Sequence, residues 1–127
     1  MPIKIKAIAK GRPGIAGGGD KKYYAVPVMD GEMDIEALTK AIEKICTVSG
    51  ADIRAVLYAL VDVSIDGLSR CAIIRMGDLG SLRITLSSEG KATIEEVNAA
   101  SVKKAGIILT PGARLKEMLR NLKFRKD

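Results

Sequence analysis

The residues with the clearest capacity for chemistry in this chain are cations. Arg75, Arg83, Lys91, Lys103, Lys104, Arg114, Lys116 and Arg120 all fall in the second half, and from Lys103 to Lys126 the only acid is Glu117. A guanidinium or ammonium group without a carboxylate neighbour pairs with phosphate, and several gathered near one surface form the footprint of a polyanion. The whole chain carries 21 Lys and Arg against 15 Asp and Glu, a formal net charge of +6, which suits nucleic acid or an anionic membrane surface. For any single one of these residues a solvated charged face is the alternative. The cluster is a stronger signal than its members.

Other chemistries find little support. With no histidine in the chain, general acid–base work would fall to a tuned carboxylate, lysine, tyrosine or cysteine. The acids sit mostly at helix starts or on polar helix faces, and Glu95–Glu96 suits a helix N-terminus. Tyr23 and Tyr24 read as strand packing, and no nucleophile is paired with a base, so no enzymatic activity is expected. Cys46 and Cys71 are isolated, which argues against a Cys/His metal site and favours free, packed thiols in a reducing cytoplasm. Gly14 and Gly19 have the spacing of a phosphate-binding loop, but Asp20 stands where lysine belongs and no Ser or Thr follows. With one phenylalanine, three tyrosines and no tryptophan, stacking platforms for unpaired bases are few. No cofactor is implied. No stretch has the length of a transmembrane span or the apolar core of a signal peptide.

The cations must be positioned by a small framework. At 127 residues, 47% of them hydrophobic, the chain is long enough for a mainly aliphatic core. Its centre is Cys71–Leu86. Leu82, Ile84 and Leu86 alternate with Ser81, Arg83, Thr85 and Ser87, the period of a half-buried strand. Cys71–Met76 is an Ile-rich run that suits a partner strand, and Gly77 and Gly80 bracket a tight reversal. The result is a hairpin with an apolar underside and an arginine-bearing upper side.

Upstream, Ile3, Ile5, Ala7 and Ala9 alternate with Lys4, Lys6 and Ile8, a strand with a basic face. Gly11–Asp20 is turn-rich and Tyr23–Val28 forms a second strand, so residues 3–28 predict a hairpin with a loose tip. Ile35, Leu38, Ala41, Ile42 and Ile45 mark a helix over 34–45, with acids at its start. Ser49 and Asp52 cap a second helix over 51–68. Its apolar residues, Ile53, Val56, Leu57, Leu60, Val61, Val63, Ile65 and Leu68, spread beyond one face, so cover is needed on more than one side and a second subunit is a natural source. Thr93 and Glu96 have capping-box spacing for a short turn, Ile107–Leu109 predict a strand, and Leu115, Met118, Leu119 and Leu122 predict a last helix over 113–122.

The order helix, helix, hairpin, arm, strand, helix resembles the HU/IHF family of bacterial nucleoid DNA-binding proteins over about residues 33–122. Ser49-Gly-Ala-Asp52 is similar to that family's turn between its first two helices. Gly77-Asp-Leu-Gly-Ser-Leu82 is similar to its Gly-Phe-Gly-Thr-Phe hairpin turn, and Pro111-Gly-Ala-Arg-Leu-Lys116 to its Pro-Gly-Lys-x-Leu-Lys opening of the last helix. The N-terminal hairpin and the Lys-Phe ending resemble HU-like variants of Bacteroides-type bacteria.

The resemblance implies an α+β fold with a two-helix base, an antiparallel β-sheet saddle and a C-terminal helix in an intertwined homodimer. Residues 1–32 would be an N-terminal extension and 33–127 the HU-like domain, with an arm-like segment near 87–104. Non-sequence-specific binding of double-stranded DNA in a cytoplasmic nucleoid is the implied function, with no membrane or small-molecule substrate. By position, Arg83, Lys103 and Lys104 would lie on the saddle or arm bases and Lys116 on the last helix, while Ala113 replaces a family lysine. Residues 87–102 depart from the family's basic, proline-bearing arm tip. They contain no proline and set Glu89, Glu95 and Glu96 against Lys91, so bending by proline intercalation is not expected. A structural or interaction homodimer of the same fold that has lost strong DNA bending or binding is the second reading.

Overall fold

The computed structural model describes residues 2–10 and 22–126. The glycine-rich loop and its phosphate-loop reading lie outside them. The elements are β1 (Ile3–Lys10), β2 (Lys22–Pro27), α1 (Ile35–Ile45), α2 (Gly50–Ser69), β3 (Ile74–Arg75), β4 (Gly80–Ser88), β5 (Val102–Pro111), α3 (Ala113–Arg120) and β6 (Phe124–Lys126). Single 3-10 turns occur at Gly77–Leu79, Ile94–Glu96 and Ala99–Ser101. The chain is mixed α+β and divides into two compact units, one within Met1–Glu32 and Met118–Asp127, the other Met33–Glu117.

The first unit is a three-stranded sheet of order β2-β1-β6. β1 and β2 are antiparallel, from Ile5 opposite Pro27 to Lys10 opposite Lys22. The C-terminal Phe124–Lys126, not expected as a strand, runs parallel to β1 with Ile3 beside Phe124. Tyr23 and Tyr24 are 77% and 46% exposed rather than packed, because a sheet this small covers little of either face.

In the second unit α1 starts at Asp34, whose carboxylate accepts the Ala37 N–H at 2.8 Å, and α2 starts at Ser49, whose hydroxyl accepts the Asp52 N–H at 3.3 Å. Both satisfy N–H groups that the helix itself leaves without partners. The end of α2 corrects one expectation. Cys71 adopts a left-handed backbone with φ 61°, and the Cys71 and Ala72 N–H groups donate to the Leu68 and Gly67 carbonyls at 2.9 and 3.0 Å. This Schellman-type stop occupies the residues expected to begin a strand, so only Ile74–Arg75 pairs with β4. Both cysteines are free and exposed, not packed, since each sits at a helix end.

The long partner of β4 is β5, in a register running from Gly80 opposite Pro111 to Ser88 opposite Val102. The sheet order is β3-β4-β5. β5 is much longer than the expected Ile107–Leu109, because backbone pairing with β4 carries Lys103–Gly106 along. Between the strands, residues 89–101 fold back on themselves. The Glu89 N–H donates to the Ser101 carbonyl at 2.8 Å, and Ser101 is 2% exposed. The Thr93 side chain makes no capping bond. Capping falls instead to Asn98, which accepts the Ala100 N–H at 2.9 Å, while the Ser101 hydroxyl accepts the Asn98 N–H at 3.1 Å.

Among the described residues the only buried apolar side chains are Ile53 and Leu68, whereas Val56, Val61, Val63 and Ile65 of α2 are 54–67% exposed. Beside them, Ile42, Cys46, Val48, Ile53, Val56 and Leu57 line an apolar groove of about 230 Å³. No described helix is long and apolar enough to cross a membrane.

Candidate nucleic-acid interface

In an antiparallel pair, directly opposite residues share a face. The register therefore sorts sheet β3-β4-β5 without ambiguity. Leu82 faces Leu109 and Ile84 faces Ile107 on one side, and on the other Ser81 faces Thr110, Arg83 faces Ile108, Thr85 faces Gly106 and Ser87 faces Lys104. Because Arg75 lies opposite Ser81, Arg75, Arg83 and Lys104 belong to one polar face.

The turn before β4 sets that face against the start of α3. Gly80 has φ 123°, and a Cβ there would collide with the Thr110 carbonyl oxygen. This close approach lets β4 begin directly against the end of β5. Pro111 and Gly112 then end the strand, and the Lys116 N–H donates to the Gly112 carbonyl at 2.9 Å as α3 begins. The outcome is an open cleft of about 320 Å³ lined by Arg75, Arg83 and Lys116 together with Ser81, Thr110 and Gly112. Arg75, Arg83 and Lys116 are all exposed. Ion pairs among the described residues, such as Lys40–Glu36, Arg70–Asp66 and Lys91–Glu89, do not involve these three cations. Three cations from β3, β4 and α3 thus converge with their charge uncompensated, an arrangement that can hold phosphate oxygens.

The remaining candidate cations are more scattered. Lys104 shares the polar face four residues along from Arg83, about 14 Å in extended strand. Lys103 is the extra residue where the register shifts between Ser87 and Ser88. Arg114 lines a separate depression with Asp78, Leu79 and Leu115. Lys91 is held by Glu89 at 3.3 Å on the folded loop. Arg120, in the last turn of α3, belongs to the other unit. Ser81 and Thr110 went unnoticed as cleft residues in the sequence, where each reads only as a polar position in a strand. Among the described residues no group of three or more His, Cys, Asp or Glu is placed to hold a metal ion.

No curated protein matches the chain significantly. Among solved structures, a Bacteroides vulgatus ATCC 8482 protein, provisionally described as a bacterial DNA-binding protein, superposes with a TM-score of 0.65 at 16% identity. The match covers 99% of this chain and 49% of that one, so this chain spans about half the length of that protein. At such identity the likeness is one of fold. The sequence supplies the kinship: residues 1–126 match the model of the HU-HIG family, described as an HU domain fused to a wHTH, Ig or glycine-rich motif, and the chain belongs to that family.

Proposed function

We propose that this chain binds double-stranded DNA without sequence specificity, as an HU-like homodimer whose polar sheet face acts as the saddle floor. One observation carries the reading: Arg75, Arg83 and Lys116 converge on one cleft with no ion pair to a carboxylate of the described residues. Lys104 extends the same face toward the folded loop. Contacts of this kind are made to phosphates and read shape rather than base sequence. The family membership and the DNA binding ascribed to the Bacteroides neighbour point the same way.

Binding to a duplex, followed by fluorescence anisotropy across a salt series, tests it. Each phosphate contact adds about 0.9 to the slope of log affinity against log salt. The Arg75→Glu/Arg83→Glu/Lys116→Glu variant removes these cations from both protomers of the homodimer and is therefore expected to lose about five units of slope and at least about tenfold in affinity. An unchanged slope would overturn the assignment of the cleft.

The loop favours a second reading on its own observation. Residues 89–101 are closed by internal hydrogen bonds and their single lysine is neutralised. A protein of this build grips and bends DNA weakly, or serves as a dimeric interaction module. Duplex retention at low salt without a change in DNA end-to-end distance would identify a binder that does not bend.

A further inference from the structure

Sheet β2-β1-β6 has a function of its own to account for. Its register places Ile3, Ile5, Ala7, Ala9, Tyr23, Ala25, Pro27 and Phe124 toward one side, with Lys126 among them. Lys4, Lys6, Lys10, Lys22 and Arg125 lie toward the other, with Ile8, Tyr24 and Val26 among them. No residue of the three strands is acidic. All five cations are exposed, while Ile8 and Val26 are half-buried. The sheet therefore gathers five of the six cations of its strands on one face, over a mainly apolar back.

We propose that this basic face is a second duplex-DNA backbone contact, separate from the cleft of sheet β3-β4-β5. Three features argue for it. Lys10 stands directly opposite Lys22. Like charges so placed destabilise a sheet, and an anion laid across them removes the cost. The cations also form a row: Lys4 to Lys10 spans about 20 Å of extended strand. A duplex offers a phosphate about every 3.4 Å along each strand, so the row matches a charged polymer better than one small phosphate. Finally, within the three strands the face carries no exposed aliphatic side chain that could insert into a lipid surface, and its one exposed ring, Tyr24, has the Lys10 ammonium 6.0 Å from its centre.

The proposal extends the DNA-binding reading above and is separable from it. Lys22→Glu in the full chain sets opposite charges across the hairpin. Its melting temperature is expected to hold or rise while duplex affinity falls and the salt slope drops by about one or more. Lys6→Gln, which lies outside that like-charged pair, is expected to lower the slope as well, and Lys6→Glu/Lys10→Glu/Lys22→Glu to lower it by about three for each copy in contact with the duplex. Unchanged slopes in all three variants would overturn the second contact and leave the cleft standing, provided the cleft variant still weakens binding. Loss of retention on anionic phospholipid vesicles with duplex binding intact would overturn it in favour of a membrane surface. A parent chain that holds no duplex even at low salt would overturn both sites together.

Discussion

Cys71 shows how a single residue can conflict with its own backbone. It occupies the left-handed position that closes α2, with φ 61°, where glycine is the usual occupant. A side chain in that conformation costs about 1–2 kcal/mol, and glycine's greater freedom in the unfolded chain offsets part of any gain from replacing it. Cys71→Gly is thus expected to stabilise the fold by about 0.5–1 kcal/mol, raising the melting temperature by roughly 2–4 °C for a chain of this size. Calorimetry on the two proteins under reducing conditions would check it, and a lower melting temperature would mean that the thiol makes a compensating contact. The same position explains why the residues after α2 mislead as sequence. Cys-Ala-Ile-Ile is apolar enough for a strand, but a stop signal normally announced by glycine is written here with cysteine. The cations of the cleft were legible by type and charge, and Arg75 and Arg83 as the polar side of one hairpin; the meeting of Lys116 with them was not. Arg75, Arg83 and Lys116 converge through the pairing of Gly80 with Pro111, a long-range register that no local pattern encodes.

Among the elements, the reversal into β4 has the least freedom. Gly80 combines φ 123° with a Cβ position occupied by the Thr110 carbonyl oxygen. Backbone strain of this kind costs about 1–3 kcal/mol, and displacing β5 adds to it. Gly80→Ala is accordingly expected to destabilise by about 3 kcal/mol or more in urea denaturation and to weaken DNA binding out of proportion to Gly77→Ala. Gly77 has φ 61° but nothing within 4 Å of its Cβ position, so it carries only the conformational cost. If the two variants melted alike, the steric part of the account would fail. Helices and amphipathic strands were readable because each advertises itself locally. Ser49 caps where its side chain suggests, and the alternation of β4 is visible in one pass. β6 was not readable, because Phe-Arg-Lys has no periodicity and becomes a strand only beside β1. The loop at 89–101 was readable as a departure from the family in its acids and missing proline, but not in its closure on Ser101.

For the whole molecule, the question is what covers α2. Only Ile53 and Leu68 are buried among the apolar side chains of the described residues, while Val56, Tyr58, Val61, Val63 and Ile65 are 54–67% exposed. Burying one such side chain fully contributes about 1.5–3 kcal/mol, whereas ordering each residue's backbone costs about 1–2 kcal/mol. A core of two apolar side chains does not offset that cost, so the folded state needs this face removed from water. In the proposed homodimer a second copy of α2 and of the groove beside it does so, with self-complementary contacts about a two-fold axis. Folding is then coupled to association, and the melting temperature rises with protein concentration. Val61→Glu places an ionised carboxylate in the centre of that face, where burial is costly. It is expected to lower the melting temperature by well over 5 °C and to give a monomeric or unfolded species by light scattering. Arg54→Glu is a matched control on the same helix: Arg54 is already exposed and charged, and its replacement is expected to leave the mass unchanged. A parent chain that scatters as a monomer and melts at the same temperature over a hundredfold range of concentration would rule out the dimer, and with it the paired saddle on which the DNA-binding reading depends.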